Sequence, residues 1–222
     1  MLIATGRPVA VTIYGRDQAG QIYSDHLFMG GGQGGSESGD GVSALLWPTS
    51  AANTSIELLE QRVPVLVAEK SYVADSGGPG RHRGGLGQRV CVRKLDGDGL
   101  PTLASVYPEG VGIAVPGLFG GKPGRSALGV VRDAAGTIIR DCGTGQLVST
   151  TTDQEIVEVR LSGGSGFGSP FERPLAAIVR DLAEGYVTPE AATRDYGVVI
   201  GADGKLDLAQ SARRREPGTA AE

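Results

Sequence analysis

QEIVEVRLSGGSGFGSPFERPLAAIVRDLAEGY, residues 154–186, holds a change of period that sets the fold class. Up to Leu161 the apolar residues alternate, with Val157, Val159 and Leu161 facing one way and Glu158 and Arg160 the other, as in a strand buried on one face. SGGSGFG (162–168) breaks the pattern. Beyond it Leu175, Ile178, Val179 and Leu182 recur at helical spacing, and Gly185 ends the run. A second helix is expected at once: Thr188 is a good N-cap, Pro189 suits the first turn, and Gly197 in RDYGVVI closes it before a short apolar strand.

Upstream the chain reads as β. PVAVTIYGRDQAGQIYSDHLF offers two alternating runs joined through a Gly-Arg-Asp-Gln-Ala-Gly turn, a hairpin pattern with Val9, Val11 and Ile13 on one face. VPVLVAEKSYVA (63–74) and QRVCVRKL (88–95) are further strands, and GVVRDAAGTIIRD (129–141) is another hairpin. One helix interrupts at TSIELLEQR, where Thr54 or Ser55 can cap and Pro64 stops the pattern. The reading is an α+β chain: a β-rich segment over 1–168 with Gly-rich loops, a short helical carboxy-terminal extension over 169–211, and a disordered tail over 212–222.

Composition narrows the function classes. Twenty-one basic against twenty-five acidic side chains give a formal charge of −4, the wrong sign for a nucleic-acid or anionic-membrane surface. Cys91 and Cys142 lie far apart without a CxxC spacing, so neither a disulfide scaffold nor a zinc site is indicated, and a reducing cytoplasmic setting is expected. No uncharged apolar run approaches the ~18 residues a membrane span needs, and the start lacks a signal-peptide pattern. Glycine stands out: 37 of 222 residues is more than twice the roughly 7% average. The glycines cluster in GGGQGG (30–35), SGGPGRHRGGLG (76–87), GLFGGKPG (117–124) and SGGSGFG, which suits tight turns and close backbone approach to a ligand or another chain.

Several short motifs fail on their context. Asp75-Ser76-Gly77-Gly78-Pro79 spells the surroundings of a chymotrypsin-like nucleophile, but that mechanism needs a histidine base with a buried carboxylate behind it. Only His26 and His82 exist, and His82 shares the loop with Ser76. GGGQGG satisfies G-x-G-x-x-G, yet SESGDGVS follows where a helix should begin. In GLFGGKPG the Gly-Lys pair is followed by Pro123, and Pro116 occupies the place of the first Walker glycine. A G-x-S-x-G elbow is absent because Phe167 takes its last position. Arg81 and Arg83, flanking His82, have the donors to grip a carboxylate or phosphate, though arginines in glycine loops more often bond nearby backbone carbonyls or a neighbouring subunit. Asp75 reads most simply as an Asx-turn residue. His26 beside Asp25 is at most a lone oriented imidazole, and two histidines do not make a self-contained metal site.

Taken together, DSGGPGRHRGGLG, the upstream NTSIELLEQRVPVLVAEKSYVA, the downstream GLFGGKPG and the terminal SGGSGFGSPFERPLAAIVRDLAEGYVTPEAATRDYGVVI closely resemble the carboxy-terminal part of the hydantoinase B/oxoprolinase family, in collinear order over about residues 25–205. The resemblance implies a split B-type subunit of an ATP-dependent amidohydrolase that opens a cyclic amide. The alternatives it carries are a subunit of an acetone- or acetophenone-type ketone carboxylase, and a non-catalytic assembly subunit. It implies two partners, an A-type subunit that handles ATP and a separate amino-terminal B-type piece, together with a small-molecule substrate. ATP and a divalent metal are expected in those partners and not on this chain alone. No catalytic residue carries over; Asp75, Arg81, His82, Arg83 and Lys122 are the residues expected to face substrate or partner, because polar groups set among glycines reach across an interface.

Overall fold

The computed structural model describes residues 9–46, 52–95, 99–201 and 205–215. In chain order the strands of the β-rich part are β1 (Val9–Arg16), β2 (Ile22–Phe28), β3 (Val65–Tyr72), β4 (Gln88–Lys94), β5 (Thr102–Val106), β6 (Leu128–Arg132), β7 (Ile138–Asp141), β8 (Gln146–Thr150) and β9 (Ile156–Arg160). The helix α1 (Ile56–Arg62) precedes β3. Both hairpins expected from alternation form: β1 with β2, turning at Gly20 with φ +79°, and β6 with β7, turning at Gly136 with φ +85°. Ser55 is the cap of α1, its side chain accepting from the Leu58 amide.

The strands make two antiparallel sheets, β2-β1-β5-β8 and β3-β4-β9-β6-β7. Their inner faces share one core, with Val11, Ile13, Leu27, Val106 and Val148 on one side and Val65, Val90, Val92, Val131, Val157 and Val159 on the other. Leu59 and Val63 close it from α1. Each such side chain taken fully out of water contributes about 1.5–3 kcal/mol, which is what holds the two sheets face to face. Strands β5 and β8 complete the first sheet although neither carries the long alternation of β1; TLASV and QLVST bury only Thr102, Ala104, Val106, Val148 and Thr150.

A second layer is built almost entirely of backbone. The four glycine clusters run alongside one another, bonded backbone to backbone, with 162–168 in the middle: Gly32 N–H donates to Ser162 O at 2.9 Å, Gly78 N–H to Gly164 O at 2.7 Å, Gly164 N–H to Gly85 O at 2.9 Å and Gly166 N–H to Lys122 O at 2.9 Å. Such spacing requires residues without side chains. A Cβ on Gly163 would lie 1.8 Å from Ser76 O, and one on Gly164 1.9 Å from Gln33 O. The clusters are therefore a packed layer, satisfying the backbone rule that buried amides find carbonyls.

After a 3-10 turn at Pro170–Glu172, the chain forms α2 (Leu175–Ala183), α3 (Pro189–Tyr196), the two-stranded β10 (Val199–Ile200) and β11 (Leu206–Asp207), and α4 (Leu208–Arg214). Gly185 and Gly197 end their helices at φ +69° and +65°. Ile178, Val187, Ala191, Ala192, Tyr196 and Val198 make a second core with Leu175 and Leu182. Val179, counted on that apolar face by spacing, is 44% exposed. Residues 212–214, assigned to a tail by their polarity, form the last turn of α4, and Arg215 donates to the Phe171 carbonyl; the expectation for 216–222 falls outside the described residues. The molecule is thus mixed α+β with a helical carboxy-terminal region, and among the described residues no helix is long and apolar enough to cross a membrane.

Candidate functional site

The helices seat on the glycine layer through two polar devices. Asp75, held at φ +59°, turns its carboxylate toward the start of α3, where Oδ1 accepts from Thr188 N–H and Oδ2 from Thr188 Oγ1, both at 2.8 Å. Thr188 in turn caps Ala191 N–H at 3.2 Å. The second device is a buried ion cluster. Arg173, 1% exposed, donates to Asp40 at 2.7 and 2.8 Å, to Asp181 at 2.7 and 3.1 Å, and to the Arg81 carbonyl at 3.1 Å. Burial opposes the Asp40 charge, but the hydrogen bonds and charge of Arg173 outweigh it and hold that carboxyl below its ordinary range. Arg83, also buried, donates to Gly84 O at 2.6 Å, lies 3.5 Å from Asp181 and stacks over the Tyr186 ring.

Between the glycine layer and α3 lies a cavity of about 300 Å³. Its glycine side is Gly77, Pro79 and Lys122 to Arg125, and its helix side is Ala191, Arg194, Asp195 and Tyr196, with Asp75 and Val187 between. Asp195 joins the two sides: Oδ1 accepts from Lys122 Nζ at 3.1 Å and Oδ2 from the Arg194 guanidinium at 2.6 Å. Burial works against the Asp195 charge, yet these two donors outweigh it and depress its pKa. Burial pushes the Tyr196 phenol up, so it stays neutral.

Of the residues singled out from sequence, Asp75 and Lys122 line this cavity, while Arg83 is sealed beneath α2 and its neighbours. Arg81 and His82 stand at the far end of the glycine layer. His82 exchanges backbone hydrogen bonds with Phe167, their rings 6.4 Å apart, and the Arg81 amide bonds Gly168 O at 3.2 Å. Asp40, Arg125, Arg173, Asp181, Arg194 and Asp195 were not singled out; Asp40 and Arg173 are 133 positions apart, and no local pattern marks such a pair. Ser76 is no nucleophile. It is 1% exposed, its hydroxyl donating to Val73 O at 2.6 Å and accepting from Gly87 N–H at 3.0 Å, a brace for the loop. Among the described residues no group of three or more His, Cys, Asp or Glu could cage a metal, and the cavity's two carboxylates are taken by Thr188 and by Lys122 with Arg194. What the cavity offers is positive charge beside a rigid wall.

Residues 3–170 match the family model described as hydantoinase B/oxoprolinase. The caprolactamase β subunit of Pseudomonas jessenii is 33% identical over 170 residues, covering 72% of this chain and 27% of that one. The acetophenone carboxylase δ subunit of Aromatoleum aromaticum is 26% identical over 242 aligned positions, covering 93% and 35%. The crystal structure of the ATP-dependent caprolactamase from Pseudomonas jessenii superposes with a TM-score of 0.74 at 26% identity, covering 97% of this chain and 38% of that chain. The chain spans 27% and 35% of the lengths of these two curated relatives.

Proposed function

This chain belongs to the hydantoinase B/oxoprolinase family, and from that premise we propose that it is a split B-type subunit of a cytoplasmic, multi-subunit, ATP-dependent amidohydrolase that opens a cyclic amide. The observation that carries this reading is the likeness to an ATP-dependent caprolactamase over 97% of the chain, the helical region included. An A-type partner handles ATP, and a separate amino-terminal B-type piece supplies the divalent metal.

The chemistry explains the division of labour. An amide carbonyl resists water because nitrogen donates into it; transfer of the terminal phosphoryl group of ATP to the amide oxygen, releasing ADP, makes the carbon electrophilic, so water adds, the C–N bond breaks to open the ring, and the acyl phosphate left behind is hydrolysed by a second water to carboxylate and phosphate. Such an intermediate has to be kept from premature hydrolysis. This chain supplies a close-packed wall: Lys122 at the seam cavity, Arg81 and His82 at the end of the layer turned toward a partner, and Asp75 and Arg83 holding the helices that close it. A second reading, subunit of an ATP-dependent ketone carboxylase, draws on the acetophenone carboxylase δ subunit, alike over 93% of this chain.

Purification of the tagged chain from its native source, identification of the polypeptides that come with it, and assay of that complex test both. The expected result is ATP-dependent ring opening of a hydantoin, 5-oxoproline or a lactam. Ketone consumption that requires bicarbonate selects the second reading, and full ATP-dependent turnover by the isolated chain defeats the division of labour.

A further inference from the structure

The seam cavity carries more positive charge than its own carboxylates take up. Lys122, Arg125 and Arg194 stand against Asp75 and Asp195. Asp75 gives both oxygens to Thr188, and Asp195 is shared by Lys122 and Arg194. The Arg125 guanidinium is left with no partner among the described residues; only its backbone is engaged, the amide with Ser76 O at 2.8 Å and the carbonyl with Gly163 N–H at 3.0 Å. The rest of the lining is Gly77 and Gly124, the apolar Pro79, Pro123, Val187 and Ala191, and Tyr196, whose buried hydroxyl has no hydrogen-bond partner among the described residues.

The wall is preformed. Behind Gly77 and Gly124 the Gly84 and Gly163 carbonyls lie 2.1 and 2.4 Å from where a Cβ would stand, so the backbone there has no room to shift inward. At about 300 Å³ the cavity is at the small end of ligand-sized pockets. We infer that it binds a small aliphatic acid, the carboxylate on Arg125 with Lys122 beside it and the carbon chain against Pro79, Pro123, Val187 and Ala191. The planar fork of a guanidinium matches a carboxylate with two parallel hydrogen bonds. Asp195 is the internal competitor, because it holds Lys122 and Arg194 away from an incoming anion. Inorganic phosphate shares the oxyanion and lacks the chain, so the two sources separate by experiment. The inference holds whichever reaction the complex performs.

Calorimetric titration of the purified chain at pH 7 with hexanoate, hexanamide and inorganic phosphate decides it. Hexanoate binds; hexanamide and phosphate bind at least about tenfold more weakly; Arg125→Gln lowers hexanoate affinity about tenfold; and Asp195→Asn, which frees two cations, raises it. Arg125→Gln leaves the backbone bonds to Ser76 and Gly163 in place, and a thermal melt matching the parent confirms its fold. Failure of hexanoate to bind, equal affinity for hexanamide or phosphate, or an Arg125→Gln protein that binds like the parent overturns the inference. Each of these is read from binding by the chain alone, apart from any assay of turnover.

Discussion

Gly164 shows why so many positions carry no side chain. Its amide and carbonyl are both used within the layer, to Gly85 O and from Gly78 N–H, and a Cβ there would meet Gln33 O at 1.9 Å and Gly34 N at 2.7 Å. Both atoms are backbone, and Gln33 O is already held by Gly85 N–H at 2.7 Å, so neither can rotate aside as a side chain would. Gly164→Ala is expected to lower stability by about 2–3 kcal/mol, in the range of overpacking a close-packed interior. Gly39 has nothing within 4 Å of its Cβ position and no positive φ, so Gly39→Ala should fall within about 0.5 kcal/mol of the parent. Urea midpoints at constant slope measure both, and equal losses at the two positions would mean the layer relaxes around a methyl group. The glycine excess is plain in the sequence, but which glycines face a carbonyl is not, because each contact joins clusters tens of residues apart.

At the level of elements, the segments readable from sequence are those that carry their own boundary chemistry. Thr188, Pro189 and Gly197 mark α3 at both ends, and in β9 the alternation of Val157, Val159 and Leu161 survives into the structure with Glu158 on the opposite face. Strands β5 and β8 were not readable because five residues each, with Ser and Thr at half the positions or near it, carry too short a period; their place comes from pairing with β1 and with each other. Glu158 shows the limit of alternation as a guide to burial. It faces away from the core and is nonetheless 0% exposed, covered by Arg89, Arg132 and Arg160. By sequence Asp75 is a local turn residue, whereas its carboxylate reaches a threonine 113 positions on. That link makes α3 the element whose cap also ties it to the layer. Thr188→Ala removes the acceptor for Ala191 N–H and the donor for Asp75 Oδ2 together, and a loss of about 1–2 kcal/mol is expected. Hydrogen exchange should show the loosening in 189–196 while β4 and β9 keep their protection; uniform loss of protection would deny α3 a separate attachment.

Across the whole molecule, three depressed carboxylates sit where separate parts are joined. Asp40 ties the glycine layer to Arg173, Asp195 ties it to α3 through Lys122, and Glu158 gathers arginines from β4, β6 and β9. In each, burial opposes the charge and the cationic donors more than offset it, so the folded pKa lies below the ordinary one. A carboxylate depressed on folding contributes stability that is fully present above its unfolded pKa, about 3.9 for Asp and 4.3 for Glu, and lost as pH falls through the folded value. Unfolding free energy is therefore expected to stay level from pH 7 to about 5 and to fall steadily below about 4. The helices should loosen from the glycine layer there, since two of their acidic attachments, Asp40 and Asp195, are among the three. Moderate salt should shift the Asp40 and Glu158 contributions little, because pairs largely shielded from solvent are weakly screened, and should weaken that of Asp195, whose partners Lys122 and Arg194 are 44% and 67% exposed. Urea titrations at pH 7, 5, 4 and 3 follow the first effect, and limited proteolysis across the same range locates the second. A midpoint that does not move between pH 5 and 3 would show that these joints hold through packing rather than charge, and the seam cavity would then owe its shape to the glycines alone.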